Sequence, residues 1–169
     1  MNFSSILMLI LTLTVSSAHA GSDAEPASPT HKSIGDAAFT NHEYKPGTIK
    51  HIVMFKYKNT VTPEQKNEVI RRFLDLQKSV RTDGSRPYIE SISSGFQNSN
   101  ENADMGFEQA FVVTFTSEGD RNYYVGEPIV RNPSLIDNNH VGFKRFVGPL
   151  LADVNGVLVF DFRADSTSS

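Results

Sequence analysis

An α+β fold of the ferredoxin-like kind, β-α-β-β-α-β around one antiparallel four-stranded sheet, is what the residue pattern of this chain predicts. Three observations carry it. Residues 50–58 (KHIVMFKYK) alternate as a half-buried strand does, and residues 157–163 (VLVFDFR) close the chain with a second such run. Between them, two stretches with apolar residues at helical spacing each follow a clear capping residue.

Taken in order, Ile49, His51, Val53, Phe55 and Tyr57 share one face of the first strand, and Lys50, Ile52, Met54, Lys56 and Lys58 share the other. Thr62-Pro63-Glu64-Gln65 opens a helix: Thr62 can cap, Pro63 suits the first helical position, and Gln65 completes a capping box. Val69, Phe73, Leu76 and Val80 form its stripe, widened by Ile70 and Leu74, and Asp83-Gly84-Ser85 ends it. A second strand is expected over residues 87–96, with Gly95 at a bulge or at its end, and a third over residues 107–116. The third puts Phe107, Gln109, Phe111, Val113 and Phe115 on one face. Ser117 caps a short helix reaching about Tyr124, and Asp137 caps another with Val141, Phe143, Phe146, Val147 and Leu150 on its apolar side. A sheet of this kind carries helices on one face only, yet both faces here are apolar. A homodimer that packs two such sheets into an α+β barrel resolves this, through an isologous interface.

Composition narrows the function classes. Sixteen Lys and Arg against 19 Asp and Glu give a net charge of −3, with no basic cluster, which argues against nucleic acid as a partner. The absence of cysteine excludes disulfides, thiolate nucleophiles and cysteine-ligated metals. Gly-rich phosphate loops, a G-x-S-x-G elbow and paired catalytic carboxylates are missing. His51, His140, Glu127 and Asp137 lack close ligand spacing, so no bound transition metal is expected.

The N-terminus has a separate logic. Residues 6–15 (ILMLILTLTV) form an apolar run, followed by Ala18-His19-Ala20, which fits the small-x-small rule for signal peptidase. Residues 1–20 are therefore expected to be a signal peptide, and the mature chain periplasmic or secreted, with no membrane contact after cleavage. Residues 21–47, rich in Ser, Ala, Pro, Asp and Glu, are expected as a mobile linker, although Phe39 and Tyr44 could lie against the domain. The domain proper is placed at residues 48–163, and residues 164–169 as a frayed tail.

Lys50-His51-Ile52-Val53, Gly95 with Asn98-Ser99, the run from Phe111 to Phe115, Tyr123-Tyr124, His140-Val141-Gly142-Phe143 and Phe160-Asp161-Phe162 recur in this order over about residues 48–162. Together they resemble the stress-responsive A/B barrel (Dabb) family. The resemblance implies a cofactor-free dimeric barrel, in a family most of whose members have no assigned reaction. One enzymatic branch, a plant polyketide cyclase, closes a ring by an aldol-type step with a Tyr and a His. Those residues match Tyr124, with Tyr123 as the alternative register, and His140, while a further pocket histidine matches His51. The chain departs from the family's H-P-x-H string: it reads Glu127-Pro128, then eleven residues (129–139) before His140.

A neutral imidazole at His140 could take a proton beside a carbonyl while a phenol hydrogen-bonds the enolate oxygen. The alternative for His140 is an ordinary helix-start residue, and for His51 a hydrogen-bonded core or interface histidine. Two functions stand side by side: a non-catalytic exported homodimer with a stress-related role or one in binding a small apolar or carbonyl ligand, and a cofactor-independent enzyme acting on a carbonyl or polyketide-like substrate through His140 and Tyr124. The insertion at residues 129–139 breaks the spacing on which the second depends and favours the first. It is long enough for a lid or a cover over a barrel end.

Overall fold

The first strand, β1 (Pro46–Phe55), lies inside a four-stranded sheet of order β2-β3-β1-β4, in which every neighbouring pair is antiparallel. The partners are β2 (Ser91–Phe96), β3 (Gln109–Ser117) and β4 (Val157–Arg163). This computed structural model describes residues 29–164, so the expected signal segment lies outside the described residues, as does all but one residue of the expected tail. Four helices complete it: α1 (Pro29–Phe39), α2 (Pro63–Asp75), α3 (Glu118–Val125) and α4 (Asn138–Val147).

Local chemistry sets the helix starts. Thr62 accepts from the Gln65 amide while the Gln65 side chain returns to the Thr62 amide, a complete capping box, and Pro63 leads the first turn. Ser117 accepts from Asp120 N, and one Asp137 oxygen accepts from both Asn139 N and His140 N. Each cap satisfies backbone donors that a helix start leaves open.

The register divides the faces as alternation demands. His51 lies opposite both Val113 and Asp161, and Val53 opposite both Phe111 and Val159. These side chains face the helices. Phe111, Val113 and Phe115 are fully buried there, and Phe73 of α2 stacks on Phe111 at 3.9 Å. Phe143 of α4 meets the Phe73 ring edge-on at 5.0 Å. The opposite face carries Lys50, Ile52, Met54, Val112, Leu158, Phe160 and Phe162, uncovered by any helix. Phe160 and Phe162 are 59% and 42% exposed, so this face is open in the protomer.

Three expectations are corrected. The helical stripe stops at Leu76: α2 ends at Asp75 and passes through a 3-10 turn, Leu76–Lys78, into extended chain, which leaves Val80 exposed. The second strand begins only at Ser91, because Tyr88 and Ile89 turn into the core instead of pairing along the edge.

The third concerns the linker. Residues 29–39 form α1, kinked at Gly35, and residues 40–45 lead directly into β1. Arg81 donates to Thr40 O at 2.8 Å and Asn122 to Phe39 O at 2.8 Å, while His42 meets the buried Asp120 at 2.7 Å. The segment's own pattern could not announce this, since it is ordered by polar partners far away in sequence.

Candidate functional site

A cavity of about 940 Å³ opens between the β1–β4 half of the sheet and the helices above it. Its floor is Val53, Phe55, Val157 and Val159; α4 supplies Phe143 and Val147, and α2 supplies Phe73. Val157 and Val159 face the helices yet are 49% and 54% exposed, since no side chain fills the space over them. The volume lies within the range usual for small-molecule sites, and the lining is mostly apolar with a few converging polar groups.

Two of those polar groups are the histidines singled out from sequence. His51 Nδ1 lies 2.6 Å from Asp161 Oδ1, directly across the β1–β4 pairing, and Arg121 of α3 is bonded to the second Asp161 oxygen. Burial alone would raise the Asp161 carboxyl's pKa, but the His51 and Arg121 bonds outweigh it and hold it below the usual carboxylate value. With a carboxylate on Nδ1, that nitrogen carries the proton, and Nε2 is the other functional atom of the ring.

His140, in the first turn of α4, is buried on the cavity wall. Its Nδ1 lies 2.6 Å from the Tyr124 carbonyl oxygen, which can only accept, so Nδ1 is the donor and Nε2 keeps a lone pair. Burial lowers its pKa from 6.5 to about 3, reinforced by the charge of Lys144 one turn on. The ring is therefore neutral at any ordinary pH.

Tyr124 is brought against both histidines but in a different role. Its ring stacks on His140 at 3.8 Å and meets His51 edge-on at 5.5 Å. The hydroxyl is buried with no hydrogen-bond partner among the described residues, burial raises its pKa well above 10, and the residue is not part of the cavity lining. Tyr123, the alternative register, accepts from Thr82 N and lies under the Arg81 guanidinium, away from the cavity. The insertion at residues 129–139 packs inward through Val130 and Ile136 and gives Ile129 to the cavity wall.

Arg121 went unnoticed in the sequence, and Asp161 was visible there only as part of the Phe160-Asp161-Phe162 string. A signal existed: antiparallel pairing of the first and last strands puts His51 and Asp161 on one face. Lys144 also lies on the wall, its pKa lowered by burial and its ammonium spent on Val125 O and Glu127 O. Among the described residues no group of three or more His, Asp or Glu could hold a metal, and no helix is long and apolar enough to cross a membrane.

A family model for the stress responsive A/B barrel domain matches residues 49–164. The chain belongs to that family. Among curated members, the stress-response A/B barrel domain-containing protein HS1 of Arabidopsis thaliana is 25% identical over 122 residues, 72% of this chain and 94% of that protein. A crystal structure of the Arabidopsis thaliana protein At3g17210 superposes with a TM-score of 0.54 at 26% identity, covering 72% of this chain and 99% of that one. A hydroxynitrile lyase from Passiflora edulis gives 0.54 at 21% identity over 72% and 97%. A dimeric ferredoxin-like protein from Thermobifida fusca gives 0.51 at 22% over 73% and 97%. The last two likenesses speak for the A/B barrel fold alone.

Proposed function

We propose that this A/B barrel protein is a homodimer that binds a small, largely apolar ligand in the cavity, with the His140 imidazole accepting a hydrogen bond from a hydroxyl or amide of that ligand. The observation that carries it is the unfilled apolar floor at Val157 and Val159, walled by a permanently neutral imidazole. A base with a pKa of about 3 binds a proton too weakly to abstract one beside a carbonyl, so His140 serves recognition better than catalysis. Dimeric neighbours of this fold support the homodimer, as does the open face around Phe160 and Phe162.

A second reading, acid–base chemistry on a carbonyl ligand, is favoured by His51, whose ring Asp161 and Arg121 orient. That a hydroxynitrile lyase shares the scaffold says only that the fold can host an enzyme. The leader-like residues 1–20 support export, which N-terminal sequencing of protein recovered outside the cytoplasm checks.

Native mass spectrometry of the protein purified without added ligand tests the main reading. A dimer that carries a co-purified small molecule, lost on denaturation, is expected. A monomer would remove the barrel, and an empty dimer that takes up no apolar probe would remove the ligand.

A further inference from the structure

The matched family domain begins at residue 49, yet the cavity does not. Phe39, Tyr44 and Lys45 line it from outside that domain, beside Glu118, Arg121 and Asn122 of α3. The Phe39 and Tyr44 rings lie 5.6 Å apart at 53°, and His31 stacks behind Phe39 at 4.1 Å. They make a small aromatic panel at the α3 end of the hollow, next to Glu118 and Arg121.

The segment that carries this panel is seated as closely as a backbone allows. Gly119 N donates to Tyr44 O at 3.1 Å and Glu118 N to Lys45 O at 3.2 Å. A Cβ on Gly119 would fall 1.7 Å from Asn41 O, so only glycine admits the segment here. Around that contact, Asn122 holds Phe39 O, Arg81 holds Thr40 O, His42 pairs with Asp120, and Lys45 pairs with Glu118 at 3.1 Å. These six bonds span the length from Phe39 to Lys45, and five of them end on α3. A peptide tethered only by chain connectivity would not need a buried carboxylate and a glycine reserved for its passage.

We infer that residues 39–45 form a dedicated wall of the ligand site, and that Phe39 and Tyr44 select ligands with a flat aromatic part to lie against them. The inference rests on the cavity being the ligand site. It makes the site of this chain a composite of the family domain and a segment the domain lacks. A face-to-edge ring contact contributes to binding beyond the apolar area it buries.

Titration of the full chain with the neutral aromatic probe N-phenyl-1-naphthylamine, followed by its fluorescence, tests this with three variants. Val159→Trp fills the cavity floor and is expected to abolish binding. Phe39→Ala with Tyr44→Ala removes the panel while leaving its backbone seat, and is expected to weaken binding at least fivefold with unchanged dichroism and oligomeric state. Gly119→Ala is expected to weaken binding similarly and to speed amide exchange over residues 40–45. If Val159→Trp abolishes binding while the other two variants bind as the parent does, the panel has no role and the cavity reading survives alone. If the parent binds no probe, or Val159→Trp binds it unchanged, the cavity reading falls and this inference falls with it.

Discussion

One face of one sheet is treated in two opposite ways. Along β3, Phe111, Val113 and Phe115 are completely buried, with Phe73 stacked on Phe111 and with Tyr88 and Tyr124 against Phe115. Along β4, Val157 and Val159, equally apolar and paired with Phe55 and Val53 of β1, are left about half exposed under a hollow. The residue types do not distinguish the two halves. What differs is position and cover: β3 is an inner strand with aromatic rings packed over it, whereas β4 is the edge strand beneath the hollow, so burial on one side serves stability while the other leaves room that a guest would fill. Close packing is the default for interiors, and an apolar floor without a roof has a cost that a bound ligand would offset.

Mutation of the two halves should give unequal answers. Phe111→Ala should be the costliest change, destabilising by about 3–5 kcal/mol in denaturant unfolding, because a stacked ring leaves a void that the sheet cannot close. A loss below about 1 kcal/mol would mean that the packed half is as loose as the hollow.

The boundary between the halves is sensed by His140. Its folded pKa of about 3 lies below the unfolded value of 6.5, so between those limits the unfolded chain binds the extra proton. Its contribution is whole above about pH 6.5 and is lost progressively down to about pH 3, with a slope approaching about 1.4 kcal/mol per pH unit. Unfolding of the parent and of His140→Gln across that window should show a shallower acid loss in the variant. Parallel curves would place the imidazole in water rather than on a buried wall.

Tyr124→Phe sharpens the comparison further. Removing a buried hydroxyl that has no partner should leave the melting temperature unchanged or raise it, by up to about 1 kcal/mol of stability. A marked loss of ligand binding or turnover in this variant would restore the phenol to the site. Smallest of all, Val159→Ala should alter stability by no more than about 0.5 kcal/mol, since its side chain already meets open space.

Much of the fold was legible because its signals are local. The alternation at residues 49–57, the strand Val157–Arg163 and the caps at Thr62, Ser117 and Asp137 each depend on side chains within a few positions of the backbone they govern. The candidate site was half legible. His51 and His140 could be picked out, but their meaning depends on Asp161 and Arg121, joined to His51 only by strand register and helix placement. The stacked pose that spends Tyr124 on packing follows from where the insertion at residues 129–139 delivers α4. The segment before β1 was legible only in part: Phe39 and Tyr44 do lie against the domain, but the order of the backbone between them is imposed by Asp120, Asn122 and a missing side chain at Gly119.

Asp137 uses both of its oxygens: one closes the start of α4, and the other accepts from the Tyr88 hydroxyl at 2.6 Å. The turn that carries His140 is thereby bolted to an aromatic of the packed half, while the imidazole is pinned from the other side by a main-chain carbonyl. The conformational freedom of that nitrogen is surrendered when the chain folds, so an incoming molecule is spared the entropy of arranging it and meets an acceptor already aimed.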